Sequence, residues 1–136
     1  MQIFTYSKII HLTDTDATGN IFFARAFDLS LETLENFFAA ENFSLKAFLQ
    51  EGQFLFPVVH ASADFLSGLT AGDEIEIHLF VEKMGVSSVA LKYEFIKVPM
   101  QQKCLEASIV HVAIDRKKNQ SIPMPEDFKA MFLRNR

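Results

Sequence analysis

The chain has 136 residues, and its 49% hydrophobic and 22% charged composition predicts one globular domain over residues 1–136 rather than a disordered or fibrous protein. Thirteen basic residues against seventeen acidic ones give a net charge of −4, which argues against a nucleic-acid partner. A single cysteine excludes an intramolecular disulfide, and no apolar run is long enough to span a membrane. We therefore expect a cytoplasmic protein without a membrane partner.

The first half of the chain contains a predicted strand, a turn and a long helix. Residues 2–11 alternate between apolar and polar side chains, as in a strand. Short polar residues and Gly19 then predict a turn over residues 13–20. Large apolar residues follow at spacings of three and four, which predicts a helix of about five turns with one apolar face. That face carries Phe23, Phe27, Leu31, Leu34 and Phe38.

The second half of the chain is predicted to be mainly strands. Ser44 can cap a short helix that ends before Gly52. Four strand-like runs follow, separated by turn signals, and a short helix then carries Phe128, Met131 and Phe132. The four runs are residues 54–65, 73–83, 86–98 and 103–116.

This order of elements predicts an α+β fold in which a five-stranded antiparallel sheet wraps around one long helix. One helix cannot cover such a sheet, and long edge strands are rarely left unpaired. We therefore expect self-association as a homodimer, or as a tetramer built from two dimers.

Few residues are arranged for chemistry. The sequence has no Gly-x-Ser-x-Gly elbow, and Cys104 lies in an alternating strand, where a buried apolar role is favoured over that of a nucleophile. The histidines lack metal-binding spacing, so we expect no metal and no cofactor. They are His11, His60, His78 and His111.

Asp14 and Asp16 are the remaining candidates for a site. They lie in the loop ahead of the long helix, where the helix amides favour negative charge. On residue type alone, the two aspartates fit a helix N-cap as well as an active site.

The segment from Asp14 to Arg25 resembles the active-site signature of the 4-hydroxybenzoyl-CoA thioesterase family, which comprises hotdog-fold acyl-CoA thioesterases. The shared features are two aspartates, a glycine three residues after the second, and an aromatic pair at the start of the helix. Three further segments are similar to the subgroup that hydrolyses 1,4-dihydroxy-2-naphthoyl-CoA: residues 4–6, 59–62 and 114–123.

The resemblance implies thioester hydrolysis with Asp16 as the catalytic carboxylate. Asp16 would either attack the thioester carbonyl or deprotonate the attacking water. Backbone N–H groups around Phe22 and Phe23, beside Gly19, would stabilise the oxyanion. Asp14 would fix the loop. Many relatives carry Tyr or His where this chain has Phe23, so polar assistance must come from the main chain or from elsewhere.

The resemblance implies less about the remaining site residues. His60 and Ser62 are candidates for lining the acyl pocket, with a plain strand role as the alternative. Glu32 or Glu35 would orient a water molecule or the loop, or would face solvent or a second subunit.

The implied substrate is an aromatic acyl-CoA. A fatty acyl-CoA or an acyl carrier protein thioester is the alternative, since the basic pair that binds CoA phosphates in some relatives is not reproduced near Lys83. A hotdog module that binds an apolar ligand without catalysis is the alternative of another class.

Overall fold

Five strands form one antiparallel sheet in the computed structural model, which describes residues 1–134 and residue 136. These strands are β1 (Gln2–Ile9), β3 (Val58–Phe65), β4 (Glu74–Met84), β5 (Ser88–Lys97) and β6 (Gln102–Val112). Their order is β1-β4-β5-β6-β3, and every neighbouring pair is antiparallel. Two short strands, β2 (Phe54–Leu55) and β7 (Ile114–Asp115), pair with each other separately. The predicted five-stranded antiparallel sheet is thus confirmed.

Two of the predicted strands are interrupted. The run over residues 54–65 breaks before β3 because Pro57 has no N–H group to donate to a ladder. The run over residues 103–116 breaks at Ala113, whose N–H donates to the Ser87 carbonyl and whose carbonyl accepts from Ile122. The chain therefore leaves the large sheet at this point and forms β7.

Three α-helices accompany the sheet, where the fold prediction named one long helix. They are α1 (Phe23–Ala40), α2 (Leu45–Glu51) and α3 (Glu126–Leu133). Beyond α1 the left-handed residue Asn42 (φ 58°) redirects the chain, and the Ser44 hydroxyl caps α2 by accepting from the Ala47 N–H at 3.2 Å. In the part of the chain that the structure describes, no helix has the length and apolar character needed to cross a bilayer.

Helix α1 turns a different face toward the sheet from the one that its apolar spacing predicted. Of the predicted stripe only Leu34 and Phe38 are buried, whereas Phe23 is 63% exposed and Leu31 is 38% exposed. The buried face instead includes Ser30 and Thr33. Their hydroxyls donate to helix carbonyls four residues earlier at 2.7 and 2.8 Å, so both side chains are buried with their hydrogen bonds satisfied. The rotation leaves apolar side chains of α1 on the outside of the chain.

Phe128 of α3 lies at the centre of a cluster of aromatic rings. It is 5% exposed, and six Phe rings have centroids 4.9 to 5.9 Å from its own. They belong to Phe38, Phe43, Phe48, Phe54, Phe56 and Phe132. The cluster joins the end of α1, α2, the β2 segment and α3 into one core region.

The substitution Phe128→Ala should lower the free energy of unfolding by about 3–5 kcal/mol, because it removes a buried ring and leaves a cavity. Leu133→Ala on the same helix is the control, since Leu133 is 45% exposed and should change stability by less than about 1 kcal/mol. Urea unfolding followed by circular dichroism measures both. Equal effects of the two substitutions would contradict the central place of Phe128.

Candidate active site

The loop between β1 and α1 folds into a miniature hairpin that carries Asp16. Thr15 and Ile21 form an isolated antiparallel bridge at its base. The Asp16 N–H donates to the Asn20 carbonyl and the Gly19 N–H donates to the Asp16 carbonyl, each at 3.0 Å. Gly19 has φ +83°, the left-handed conformation that follows a tight turn and that other residues adopt only with strain. The glycine thus permits the turn on which Asp16 is displayed.

Asp14 anchors this hairpin from inside the protein. Its side chain is buried, with Oδ1 accepting from Arg25 Nη2 at 2.6 Å and from Arg25 Nε at 3.1 Å. Oδ2 accepts from the His11 N–H at 2.8 Å and lies 3.7 Å from Lys8 Nζ. The Asp14 carbonyl also accepts from the Phe22 N–H at 2.8 Å. One residue therefore joins the end of β1, the loop and the first turn of α1.

Burial alone would favour the neutral form of Asp14. The His11 amide, the Arg25 guanidinium and the Lys8 ammonium outweigh that effect and hold the pKa of Asp14 below its ordinary value. Asp14 is therefore ionised at neutral pH and structural in its contacts, since its oxygens are occupied.

Asp16, by contrast, is exposed and has an oxygen to spare. Its Oδ1 accepts from both the hydroxyl and the N–H of Thr18, while Oδ2 has no hydrogen-bond partner among the described residues. The Thr18 hydroxyl, and then the Thr18 amide, hold the pKa of Asp16 below its ordinary value. Asp16 thus presents an ionised oxygen held in position by its neighbour.

The first turn of α1 supplies free amides beside this carboxylate. Phe22 is the N-cap residue and offers no side-chain cap. Its N–H group already donates to Asp14, so it is not available for an oxyanion. The N–H groups of Phe23 and Ala24 have no acceptor within the described part of the chain. Of the expected donors Phe22 and Phe23, only Phe23 thus has a free N–H group, and Ala24 offers a second one beside it.

Asp16 and Phe23 line one cavity of about 410 Å³. Its opposite wall is the segment that follows β3, and the Ile21 N–H joins the two walls by donating to the Leu69 carbonyl at 2.8 Å. The complete lining is Asp16, Asn20, Ile21, Phe23, Phe65, Leu66, Ser67, Gly68 and Leu69. Sequence reasoning missed residues 65–69, which it identified only as a strand end and a turn.

Gly68 lies against the Asn20 side chain where the two walls of this cavity meet. A Cβ atom at position 68 would lie 2.5 Å from Asn20 Oδ1, so a larger residue there would displace the Asn20 amide. Phe23, Phe65 and Leu66 are between 47% and 63% exposed at the same place. The cavity is thus lined by both apolar and polar side chains and is open to the outside of the chain, and Asp16 is the ionisable group among the described residues that line it.

The other predicted site residues lie elsewhere. The Phe22 ring packs against that of Phe23, with their centroids 4.8 Å apart. His60 and Ser62 are exposed on β3, opposite Val110 and Ser108 of β6, on the face of the sheet away from the buried core. Neither of them lines the Asp16 cavity of its own chain.

Glu32 and Glu35 line a separate depression on α1 together with Arg25 and Asp28. Burial, and then the neighbouring Glu32 carboxylate, raise the pKa of the Tyr6 phenol above its ordinary value. Glu35 also borders an apolar groove between α1 and α2. The structure therefore does not bring either glutamate into the cavity of Asp16.

Residues 10–132 match the Thioesterase-like superfamily. The chain belongs to this family. It is 32% identical to a 1,4-dihydroxy-2-naphthoyl-CoA hydrolase from Nostoc punctiforme, over 98% of this chain and 88% of that protein. It is 28% identical to the protein of the same name from Synechocystis, over 95% of this chain and 94% of the other.

A solved structure of this thioesterase family has the same fold. The crystal structure of a 1,4-dihydroxy-2-naphthoyl-CoA thioesterase from Synechocystis superposes with a TM-score of 0.90 at 27% identity, covering 96% of each chain. The resemblance to hotdog thioesterases stated from the sequence is confirmed.

Asp14→Asn should lower the free energy of unfolding at pH 7 by about 1–3 kcal/mol, because Arg25 and Lys8 lose their buried partner charge. Because the folded-state pKa of Asp14 lies below the ordinary 3.8, the stabilisation is present above pH 3.8 and is lost as pH falls through the lower folded-state value. The difference in the free energy of unfolding between wild type and Asp14→Asn should therefore become smaller in acid. Urea unfolding over a pH series measures it.

Asp28→Asn serves as the control for this prediction. Asp28 is exposed and pairs with the same Arg25 at 3.1 Å, so its loss should cost less than about 1 kcal/mol. A difference between wild type and Asp14→Asn that stays constant from pH 7 into acid would contradict the proposed role of the Asp14 charge.

Proposed function

We propose that this protein is an acyl-CoA thioesterase that hydrolyses an aromatic acyl thioester, with 1,4-dihydroxy-2-naphthoyl-CoA as its preferred substrate. The similar proteins from Nostoc punctiforme and Synechocystis carry that substrate in their names. One observation in the chain itself supports the chemistry most directly. An ionised carboxylate with a free oxygen, Asp16, shares a cavity with Phe23, whose N–H group at the start of α1 has no acceptor among the described residues.

The reaction needs only these groups. Asp16 Oδ2 attacks the thioester carbonyl carbon, and the amides of Phe23 and Ala24 stabilise the developing oxyanion, where one such donor is generally worth about 3 kcal/mol of barrier. The C–S bond then breaks, and the thiol, with a pKa near about 8.5, leaves as thiolate without a catalytic acid. Water hydrolyses the resulting mixed anhydride to the carboxylic acid and restores Asp16.

Direct attack by Asp16 is favoured over activation of water by Asp16. General-base efficiency is greatest when the pKa of the base lies near the working pH. Thr18 moves the pKa of Asp16 further below neutrality, which weakens it as a base while keeping it ionised as a nucleophile. The alternative, in which Asp16 deprotonates the attacking water, leads to the same products.

We further propose a homodimer formed along β3, with a tetramer as a pair of such dimers. This edge strand is exposed along almost its whole length, and its outer N–H and C=O groups have no ladder partner among the described residues. A second copy of β3 pairs antiparallel about a two-fold axis. The exposed residues Val58, Val59 and His60 of one copy then lie at the end of the strand nearest the partner's catalytic cavity.

The dimer leaves His60 and Ser62 on the sheet face away from α1, so we assign them the plain strand role, beside the partner's β3, rather than a place in the acyl pocket. Residues 1–136 would act as one hotdog domain in which the sheet wraps α1. The protein would work in the cytoplasm with coenzyme A, rather than acyl carrier protein, as the carrier.

Asp16→Asn should lower kcat for an aryl-CoA by two to four orders of magnitude, roughly the loss expected on removing an essential catalytic group. The fold should be unchanged, because the Asp16 side chain is exposed and its amide analogue still accepts from Thr18. Release of free CoA, detected with a thiol reagent, measures the rate. Asp127→Asn, an exposed acid in the first turn of α3, is the control and should keep full activity.

Full activity of Asp16→Asn would contradict the assignment of Asp16 as the catalytic carboxylate. A panel of 1-hydroxy-2-naphthoyl, benzoyl, palmitoyl and acyl carrier protein thioesters then identifies the substrate class. Preference for palmitoyl or carrier-protein thioesters would overturn the aromatic substrate, and binding of all four without cleavage would show a non-catalytic module instead.

A further inference from the structure

A second cavity lies on the same face of the sheet as α1, between α1, α2 and residues 55–57. It has a volume of about 460 Å³, in the range of small-ligand sites. Its walls are almost entirely apolar, and Leu31, Leu49 and Leu55 are between 36% and 58% exposed at its mouth. The ionisable side chains that line it within the described residues are those of Glu35 and His111.

His111 lines this groove and carries an unused, buried hydrogen-bond acceptor. The residue is 3% exposed, and its ring stacks on that of Phe56 with the centroids 4.4 Å apart and the planes within 7°. Its Nδ1 lies 3.1 Å from the Phe56 carbonyl, which can only accept, so Nδ1 carries the proton. The other nitrogen, Nε2, has a lone pair and no partner among the described residues.

Burial keeps this acceptor neutral. It lowers the pKa of His111 below its ordinary value, against the opposing effect of the Phe56 carbonyl. A buried acceptor without a donor is costly and uncommon in native proteins. A ligand that is apolar apart from one hydroxyl group would pack against the apolar walls of the groove and donate a hydrogen bond to His111 Nε2.

We propose that the groove receives the ring of a hydroxyaryl acyl group, and that His111 Nε2 accepts a hydrogen bond from a ring hydroxyl and so selects hydroxylated substrates. The inference rests on the proposed thioesterase function and names a specificity residue for it. The bond concerns binding and positioning of the ring, so no proton needs to leave the hydroxyl during the reaction.

The groove serves the partner's catalytic carboxylate rather than its own. His111 pairs with Val58 at one end of β3, while Phe65 at the other end lines the Asp16 cavity. Eight strand residues span about 23 Å, which is longer than a naphthoyl group. In the proposed antiparallel dimer the Val58 end of one copy lies beside the Phe65 end of the other. The ring would thus enter one subunit while the partner subunit's Asp16 attacks the thioester.

The test compares 4-hydroxy-2-naphthoyl-CoA, whose hydroxyl lies on the ring away from the thioester carbonyl, with 2-naphthoyl-CoA, which lacks the hydroxyl. Wild type should show a kcat/KM at least about tenfold higher for the hydroxylated substrate, as expected for one well-placed hydrogen bond in a buried site. His111→Phe keeps an aromatic ring against Phe56 but removes the Nε2 acceptor, together with the Nδ1–H bond to the Phe56 carbonyl. The second loss affects both substrates alike, so the ratio of their kcat/KM values should fall close to one, because only the hydroxylated substrate loses a bond to Nε2.

His78→Phe is the matched control, because His78 is a half-buried histidine on β4 that faces away from the groove and contacts Glu76 at 3.0 Å. It should leave the ratio unchanged. A preference that survives in His111→Phe, or that is absent from wild type, would overturn the role of His111. Failure of the proposed function would look different, because wild type would then hydrolyse neither naphthoyl thioester.

A measurement on wild type decides the matter if His111→Phe does not fold. The ring nitrogens of the histidines are followed by 15N NMR while the protein binds the non-hydrolysable ketone analogue of 4-hydroxy-2-naphthoyl-CoA. The Nε2 resonance of His111 should move upfield with this analogue but not with the analogue that lacks the hydroxyl. Identical spectra with the two analogues would contradict the proposal.

Discussion

The candidate site depends on the buried charge of Asp14. A carboxylate out of contact with water must be paired and hydrogen-bonded, and here Arg25, Lys8 and the His11 amide meet that need. Because these groups come from β1, from the loop and from α1, the charge fixes where the helix begins relative to the sheet. The hairpin with Asp16 at its tip, and the free amides of Phe23 and Ala24, take their positions from that anchor.

The face of α1 that packs on the sheet determines which of its side chains are exposed for binding. Ser30 and Thr33 are satisfied within the helix and can therefore face the sheet. This leaves Phe23 and Leu31 exposed, the first beside Asp16 and the second at the mouth of the groove that contains His111. Independently of the helix, the strand order leaves β3 as an exposed edge of the sheet. Catalytic group, ring-binding groove and pairing strand thus become parts of one proposed two-subunit site.

The sequence predicted the secondary-structure elements better than the way in which they pack. Alternation and turn residues located all five strands of the large sheet, because these signals are local. The buried face of α1 was predicted wrongly, since counting apolar residues cannot anticipate hydroxyls that bond to the helix carbonyls. Residues 65–69 and His111 could not be assigned to a cavity, because they meet α1 and the Asp16 loop only through the tertiary fold.

A crystal structure with a ketone analogue of an aryl-CoA, in which a methylene group replaces the thioester sulfur, tests the central claim most directly. The ketone oxygen should lie about 2.7–3.1 Å from the amide nitrogen of Phe23 or Ala24. Asp16 Oδ2 should face the carbonyl carbon at about 3–3.5 Å. A bound analogue whose carbonyl lies away from the start of α1, with Asp16 directed to solvent, would contradict the account.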